Sequence, residues 1–372
     1  MKIPKIKTVY FIASEIESLN CKEMTSSSQK YKYWLAHYLS KYINVKIISI
    51  CAPRTKREKN GNLELVGTDE KKYGKRFKFL NILSELKNDG QVVIIFWGYD
   101  LFFVLGMLYI KLFKKQICIP FEFDSHKPAM CTLTGLKRAI INLKFSIGKF
   151  FIRFFKGIIV FQEKAINRFA MEGKHTLVLK PSVITGQPSI YNQCLESFEI
   201  TFAGTFTELN GIDALISSLE GLKDLPIQIN LCGDGPLLKQ VLEAEKRYDF
   251  FHYKGRLAEE ELYDIYKKSS LLLNLRRLDD EAMDYAFPSK TFECINTGIP
   301  LLTTRVLEDK EFLENVFIID DITPRAIAEK IRYIYNNKEL AYRMANAAKK
   351  YVDGKYSFES AAKKLVKFIN AL

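Results

Sequence analysis

The seven cysteines, at 21, 51, 118, 131, 194, 232 and 294, include no C-x-x-C pair and are odd in number. That excludes a disulfide framework and a thiolate zinc site, and predicts reduced thiols in a cytoplasmic protein. A secretory signal is also missing, because Met1-Lys2-Ile3-Pro4-Lys5-Ile6-Lys7 runs directly into a strand-like TVYFIA. The most apolar run, 92–112, is broken by Gly98-Tyr99-Asp100 into a strand and a helix, each too short to span a bilayer. No repeat of solenoid period and no low-complexity tract occurs. Acidic residues are absent between Asp124 and Glu163, where Lys127, Lys137, Arg138, Lys144, Lys149, Arg153 and Lys156 are all basic.

A chain of 372 residues with 48% hydrophobic and 27% charged residues is a soluble globular protein, too long for one ordinary core. Its net charge of +13 calls for an anionic partner: nucleic acid, anionic lipid or a phosphorylated substrate. Nucleic acid is excluded, since no zinc-finger spacing, RNP-like strand or helix-turn-helix pattern accompanies the charge.

The first half alternates strands at 8–13, 45–49, 92–97, 117–121, 157–161 and 177–179 with helices at 29–42, 101–114, 136–155 and 165–171. The strands are apolar on both faces, as in a doubly wound parallel sheet covered by helices. A polar linker at 184–197 separates this domain, 1–183, from a second alternation over 198–356, and the last helix, 357–372, is expected to pack back on the first domain. Ligands of such sheets bind at the carboxyl ends of the strands. In the first domain those loops hold Ser26 and Ser27, which read equally well as helix caps, and Glu122, Asp124 and His126 directly after a buried strand.

The stretch 276–304, RRLDDEAMDYAFPSKTFECINTGIPLLTT, organises the second domain. It reads as a helix beginning at Pro288-Ser289-Lys290, a Gly298-Ile299-Pro300 stop and a buried strand. Free N–H groups, the helix dipole and the Lys290 cation suit a phosphate, and Glu293 one turn further suits the hydroxyls of a ribose. Gly204 after ITFA, Gly233-Asp234-Gly235-Pro236 after INLC and Gly255-Arg256-Leu257 after FHYK permit tight turns and close backbone approach to a ligand.

Taken together, the residues from 198 to 304 resemble the C-terminal domain of family 4 glycosyltransferases, "glycosyl transferases group 1" in type. Phe202-Ala203-Gly204, Gly211-Ile212-Asp213, the G-x-G-P-L turn at 233–237, Gly255-Arg256-Leu257 and P-S-K-x-x-E followed by G-x-P carry the likeness. The resemblance implies a GT-B fold, two Rossmann-like doubly wound parallel-sheet domains facing a cleft. It also implies sugar transfer from a UDP- or GDP-sugar to an acceptor hydroxyl, with anomeric retention, no metal and no cofactor beyond the nucleotide-sugar co-substrate. Gly204, Gly233, Gly235, Pro288 and Thr291 would line the donor site, Ser289 and Lys290 would hold the diphosphate, Glu293 the ribose, and Arg256 and Leu257 the base.

Two departures stand out. Tyr285 occupies the place of the first of the family's paired carboxylates, with Glu281 and Asp284 nearby. Thr205 and Asn210 occupy donor-site positions where the family has Arg and Lys, so the leaving-group charge falls to Lys290, Arg276 or Arg277. Ser26, Ser27, Glu122, Asp124 and His126 would line the acceptor side, Asp124 and His126 next to the chemistry. The segment 136–156, LKRAIINLKFSIGKFFIRFFK, mixes cations with apolar residues at helical spacing and predicts peripheral contact with an anionic membrane. The expected function is a cytoplasmic, inner-face transferase extending a lipid-linked glycan for a surface polysaccharide or capsule. The alternatives are a sugar-nucleotide epimerase of the same fold and a non-catalytic sugar-nucleotide-binding subunit.

Overall fold

The computed structural model describes residues 6–13, 16–24, 26–69, 81–86, 92–97, 101–122, 135–169, 171–180, 182–191, 197–277, 289–306 and 309–372. They form two compact units. The first comprises the described residues up to Ser182 together with Phe358–Leu372; the second lies between Val183 and Ser357.

The first unit is built on an eight-stranded sheet. Its strands are β1 Thr8–Ala13, β2 Asn44–Pro53, β3 Arg57–Asn60, β4 Leu63–Asp69, β5 Val92–Trp97, β6 Ile117–Phe121, β7 Gly157–Val160 and β8 His175–Val178. Their order is β3-β4-β2-β1-β5-β6-β7-β8, parallel except for the β3–β4 hairpin. That hairpin is an addition to the expected pattern. Its two-residue turn, Gly61-Asn62 between the paired Asn60 and Leu63, has Gly61 at φ +59°, a glycine-first loop that favours hairpins, but β3 is charged and largely exposed, so it lacks an apolar alternation. β1 and β5 are buried almost throughout. Phe11 stacks on Trp97 with ring centroids 4.4 Å apart.

The helices of this unit are α1 Ser27–Leu39, α2 Leu101–Tyr109, α3 Gly135–Ile152 and α4 Lys164–Arg168; α2 continues as a π-helical turn, Ile110–Lys114. The chain's last helix, Phe358–Asn370, belongs to this unit as well. Phe358 stacks on Tyr38 at 5.9 Å and meets Tyr31 at 5.3 Å, and Glu359 accepts from Tyr42.

The second unit has a six-stranded parallel sheet in the order β11-β10-β9-β12-β13-β14. These strands are β9 Phe198–Thr205, β10 Ile227–Asp234, β11 Phe251–Gly255, β12 Leu271–Asn274, β13 Leu301–Thr303 and β14 Phe317–Ile318. Helices α5 Ile212–Ser218, α6 Leu238–Arg247, α7 Glu259–Tyr266, α8 Ser289–Asn296, α9 Lys310–Glu314, α10 Pro324–Asn336 and α11 Lys338–Lys355 complete it, and Phe358–Asn370 is α12. Two apolar clusters form its core. One gathers Phe202, Leu215, Val241 and Ile331, the other Leu272, Phe292, Phe312 and Val352. The strands are therefore covered on both sides, which is why they read as continuous Leu, Ile and Phe.

Candidate functional site

The carboxyl ends of β9 and β10 are joined glycine to glycine. Gly233 pairs with Gly204 and Asp234 with Thr205 in the strand register. Gly204, Gly233 and Gly235 have φ of +154°, +143° and +158°. A Cβ at 233 would strike the Gly204 carbonyl, and one at 235 would lie 2.6 Å from the backbone N and O of Phe206. Only glycine fits, so bare backbone is exposed where a ligand must come close. The turn is held by Gly235 N–H donating to Asp234 Oδ1 at 2.7 Å and by Phe206 N–H donating to Asp234 O at 2.8 Å.

Over this floor lies the side chain of Lys290, the second residue of α8. Its Nζ occupies the space a Cβ on Gly204 would take and sits 4.5 Å from the centroid of the Phe202 ring. Such a contact is attractive for a desolvated cation. Among the described residues no carboxylate forms an ion pair with it. The surrounding protein desolvates the ammonium and pushes its pKa below the ordinary lysine value, against the pull of Cys294, Glu293 and Cys232, while Arg276 adds to the depression. An amine held this way gains its missing counter-charge when an anion arrives.

The first turn of α8 is fixed from below. Asn274 Nδ2, at the end of β12, donates to Thr291 Oγ1 at 2.7 Å and to Thr303 Oγ1 at 3.3 Å, and Thr303 Oγ1 donates to Asn274 O at 3.2 Å. All three side chains are buried. Thr291 thus anchors the helix through its buried hydroxyl, which accepts from Asn274. Ser289, half-buried, begins the helix, and Glu293 is exposed one turn after Lys290. Pro288 lies outside the described residues, as do Glu281, Asp284 and Tyr285.

The expected cations separate. Arg277 donates to both Asp213 carboxylate oxygens, at 2.9 and 2.7 Å, and to Glu208 O at 2.6 Å, while its N–H bonds Leu209 O. Its guanidinium therefore ties the 207–213 turn to the end of β12 and is not the spare charge expected for a leaving group. Arg276, half-buried, is the one within electrostatic reach of Lys290. Asn210 Nδ2 donates to Thr205 O at 2.7 Å, so these two positions staple the turn and carry no charge. Arg256 is exposed and Leu257 half-buried just after Gly255, whose φ is +76°.

Several residues around Lys290 were not among the expected site residues. Cys232 and Cys294 are buried, their thiols pushed up to about 11 and about 12 by desolvation. The Tyr266 phenol is raised well above its usual value by burial and by Cys294, Glu293 and Cys232. In sequence the two cysteines read as core, and Phe202 as part of the Phe202-Ala203-Gly204 motif with no role of its own.

In the first unit, Ser26 is the N-cap of α1. Its Oγ accepts from Gln29 N–H at 3.1 Å, and Gln29 Oε1 accepts from Ser26 N–H at 3.1 Å. This capping box takes up the hydroxyl expected on the acceptor side. The Ser27 side chain, Asp124 and His126 lie outside the described residues. Glu122 is buried directly after β6. Lys32 is also buried, its Nζ 5.9 Å from the Trp97 ring at the end of β5. Nothing in YKYWLAHYL marks that lysine as an inward one.

Solved structures share this architecture over nearly the whole chain. A sucrose-phosphate synthase from Thermosynechococcus elongatus superposes with a TM-score of 0.70 at 12% identity, covering 97% of this chain and 98% of that one. Anabaena HepE in complex with UDP gives 0.70 at 10%, covering 99% and 100%. WaaG, a glycosyltransferase involved in lipopolysaccharide biosynthesis, gives 0.62 at 16%, covering 97% and 99%. The fold is that of the GT-B glycosyltransferases, as the motifs implied. Residues 214–367 match the family described as glycosyl transferase-like. No curated protein matches the chain in sequence.

Proposed function

We propose that this protein moves a sugar from UDP-sugar to a hydroxyl of a lipid-linked glycan at the cytoplasmic face of a membrane, in surface polysaccharide assembly. The observation that carries the reading is the Lys290 ammonium seated over paired glycines at the start of α8. Breaking the bond from the anomeric carbon leaves negative charge on the terminal phosphate oxygen. Lys290, Arg276 and the first N–H groups of α8 stabilise charge at that place. Glu293 holds the ribose hydroxyls, and Arg256 and Leu257 border the base.

The leaving phosphate oxygen takes the acceptor proton on the face it departs from, which retains the anomeric configuration and asks for no metal ion. Glu122, with Asp124 and His126 beyond it, serves the acceptor side. Likeness to HepE, solved with UDP and with UDP-glucose, supports uridine as the base. Likeness to WaaG, and to the lipopolysaccharide outer core galactosyltransferase WaaB, supports a glycolipid acceptor. The basic apolar helix α3 is the part of the chain that suits a membrane face.

A thermal-shift screen of UDP- and GDP-linked sugars tests the donor, because a ligand bound only by the folded form raises the melting temperature. UDP-sugars should stabilise wild type, and Glu293→Ala should weaken that shift; no response to any nucleotide would reject the reading. Donor consumption without acceptor would point to an epimerase. Binding without turnover under every acceptor would point to a non-catalytic subunit.

A further inference from the structure

Nine of the twelve large hydrophobic side chains exposed among the described residues lie on just two segments of the first unit, 105–113 and 136–154. On α3 and the turn that follows it, Leu136, Ile140, Leu143, Phe150 and Phe154 recur at spacings of three, four and seven and so share one stripe. Gly148 and Ile152, on the opposite side, are buried. The helix thus has two apolar faces, of which the core uses one.

The second segment is the π-helical turn Ile110–Lys114, which ends on Lys115 at φ +53°, the one non-glycine residue with positive φ among the described residues. Ile110 is buried while Leu112 and Phe113 are 66% and 71% exposed. π-turns are rare, and they concentrate at functional places. The turn meets the end of α3, where Lys111 Nζ donates to Phe154 O and Arg153 lies 4.5 Å from the Phe150 ring. No acidic residue occurs from 101 to 121 or from 125 to 162.

We propose that this two-part face docks on an anionic phospholipid bilayer, with Leu112 and Phe113 entering the acyl region and Lys111, Lys114 and Lys115 remaining among the headgroups. The proposal rests on the membrane reading above and adds to it the second segment of the face and the inserting element. None of the described helices is long and apolar enough to cross a membrane, so α3 lies along the surface. A second copy would bring cations against cations, whereas anionic headgroups complement them. Each cation at the surface strengthens binding about fivefold.

The test is co-sedimentation of the full chain with vesicles of phosphatidylcholine alone and of phosphatidylcholine mixed with phosphatidylglycerol. Wild type should bind the anionic vesicles at least about tenfold more tightly, with a loss in high salt. Leu112→Ser with Phe113→Ser should weaken that binding at least about tenfold, as expected for apolar insertion, and leave the UDP thermal shift unchanged. Equal binding to both vesicles, or binding indifferent to the double substitution, would overturn the proposal. So would a dimer in sedimentation velocity that the double substitution dissociates. No nucleotide sugar or acceptor is used, so failed sugar transfer and failed docking register separately.

Discussion

Replacing Gly204 by Ala tests the donor site at its centre. The new methyl would fall on the place of Lys290 Nζ, which is the end of a flexible side chain and can yield. The ammonium would leave the Phe202 ring, losing about 2 kcal/mol for a desolvated contact, and alanine at φ +154° adds strain of about 1–3 kcal/mol. The larger consequence is for the ligand. A charge-assisted contact contributes about 1.5–3 kcal/mol; at 1.4 kcal/mol per factor of ten, UDP should bind roughly 10- to 100-fold more weakly. Lys290→Met should reproduce that loss by calorimetric titration while changing the melting temperature little. Gly233→Ala behaves differently, because its methyl would meet the Gly204 carbonyl, which cannot swing away. That variant should be destabilised by about 4 kcal/mol or more. If Gly204→Ala and Lys290→Met both bind UDP within a factor of about two of wild type, the phosphate is not held at Lys290.

Burial depresses the Lys290 pKa, so the ammonium is complete below its folded value and is lost as pH rises through it. UDP affinity should therefore fall on an alkaline limb that begins below the ordinary lysine range, and Lys290→Arg should flatten it; titration against pH reads the limb directly. Arg277→Met should cost about 1–3 kcal/mol in thermal or urea unfolding with UDP affinity intact. Arg276→Met should instead lower kcat by roughly 10- to 100-fold; a reversed pattern would exchange their roles. Burial raises the Asp309 carboxyl, but hydrogen bonds from Lys355, Tyr351, Tyr356 and Phe312 N–H outweigh it and hold the pKa below the usual range. Asp309→Asn should lose about 2 kcal/mol at neutral pH in chemical unfolding. The wild-type advantage should persist above the ordinary carboxylate range and disappear as pH falls through and below it.

How much of this could be read in advance differs between the units. In the second, Gly204, Gly233, Gly235, Lys290 and the Gly298 stop are local signals. Each marks a backbone turn or a helix end, which neighbouring residues determine. Partnerships across the fold are not local. Nothing in the chain order tells that Arg277 finds Asp213 while Arg276 lies within electrostatic reach of Lys290. Likewise Thr291 looks like any hydroxyl in a first helical turn until Asn274 closes on it. Ser26 and Gln29 spelled out their own capping box three residues apart, so that bond was legible as one of two readings. Lys32 was hidden for the opposite reason: an ion among tyrosines is ordinarily placed at the surface, and the packing of α1 overrides that expectation.

The last helix closes the first unit, meeting α1 through Tyr31, Tyr38 and Tyr42. A ribosome making this chain from its amino end therefore completes the second unit before the first can be sealed. Until Phe358 and Glu359 emerge, those three tyrosines are left without their covering helix. Chaperone binding to nascent chains should accordingly linger on the half synthesised earliest.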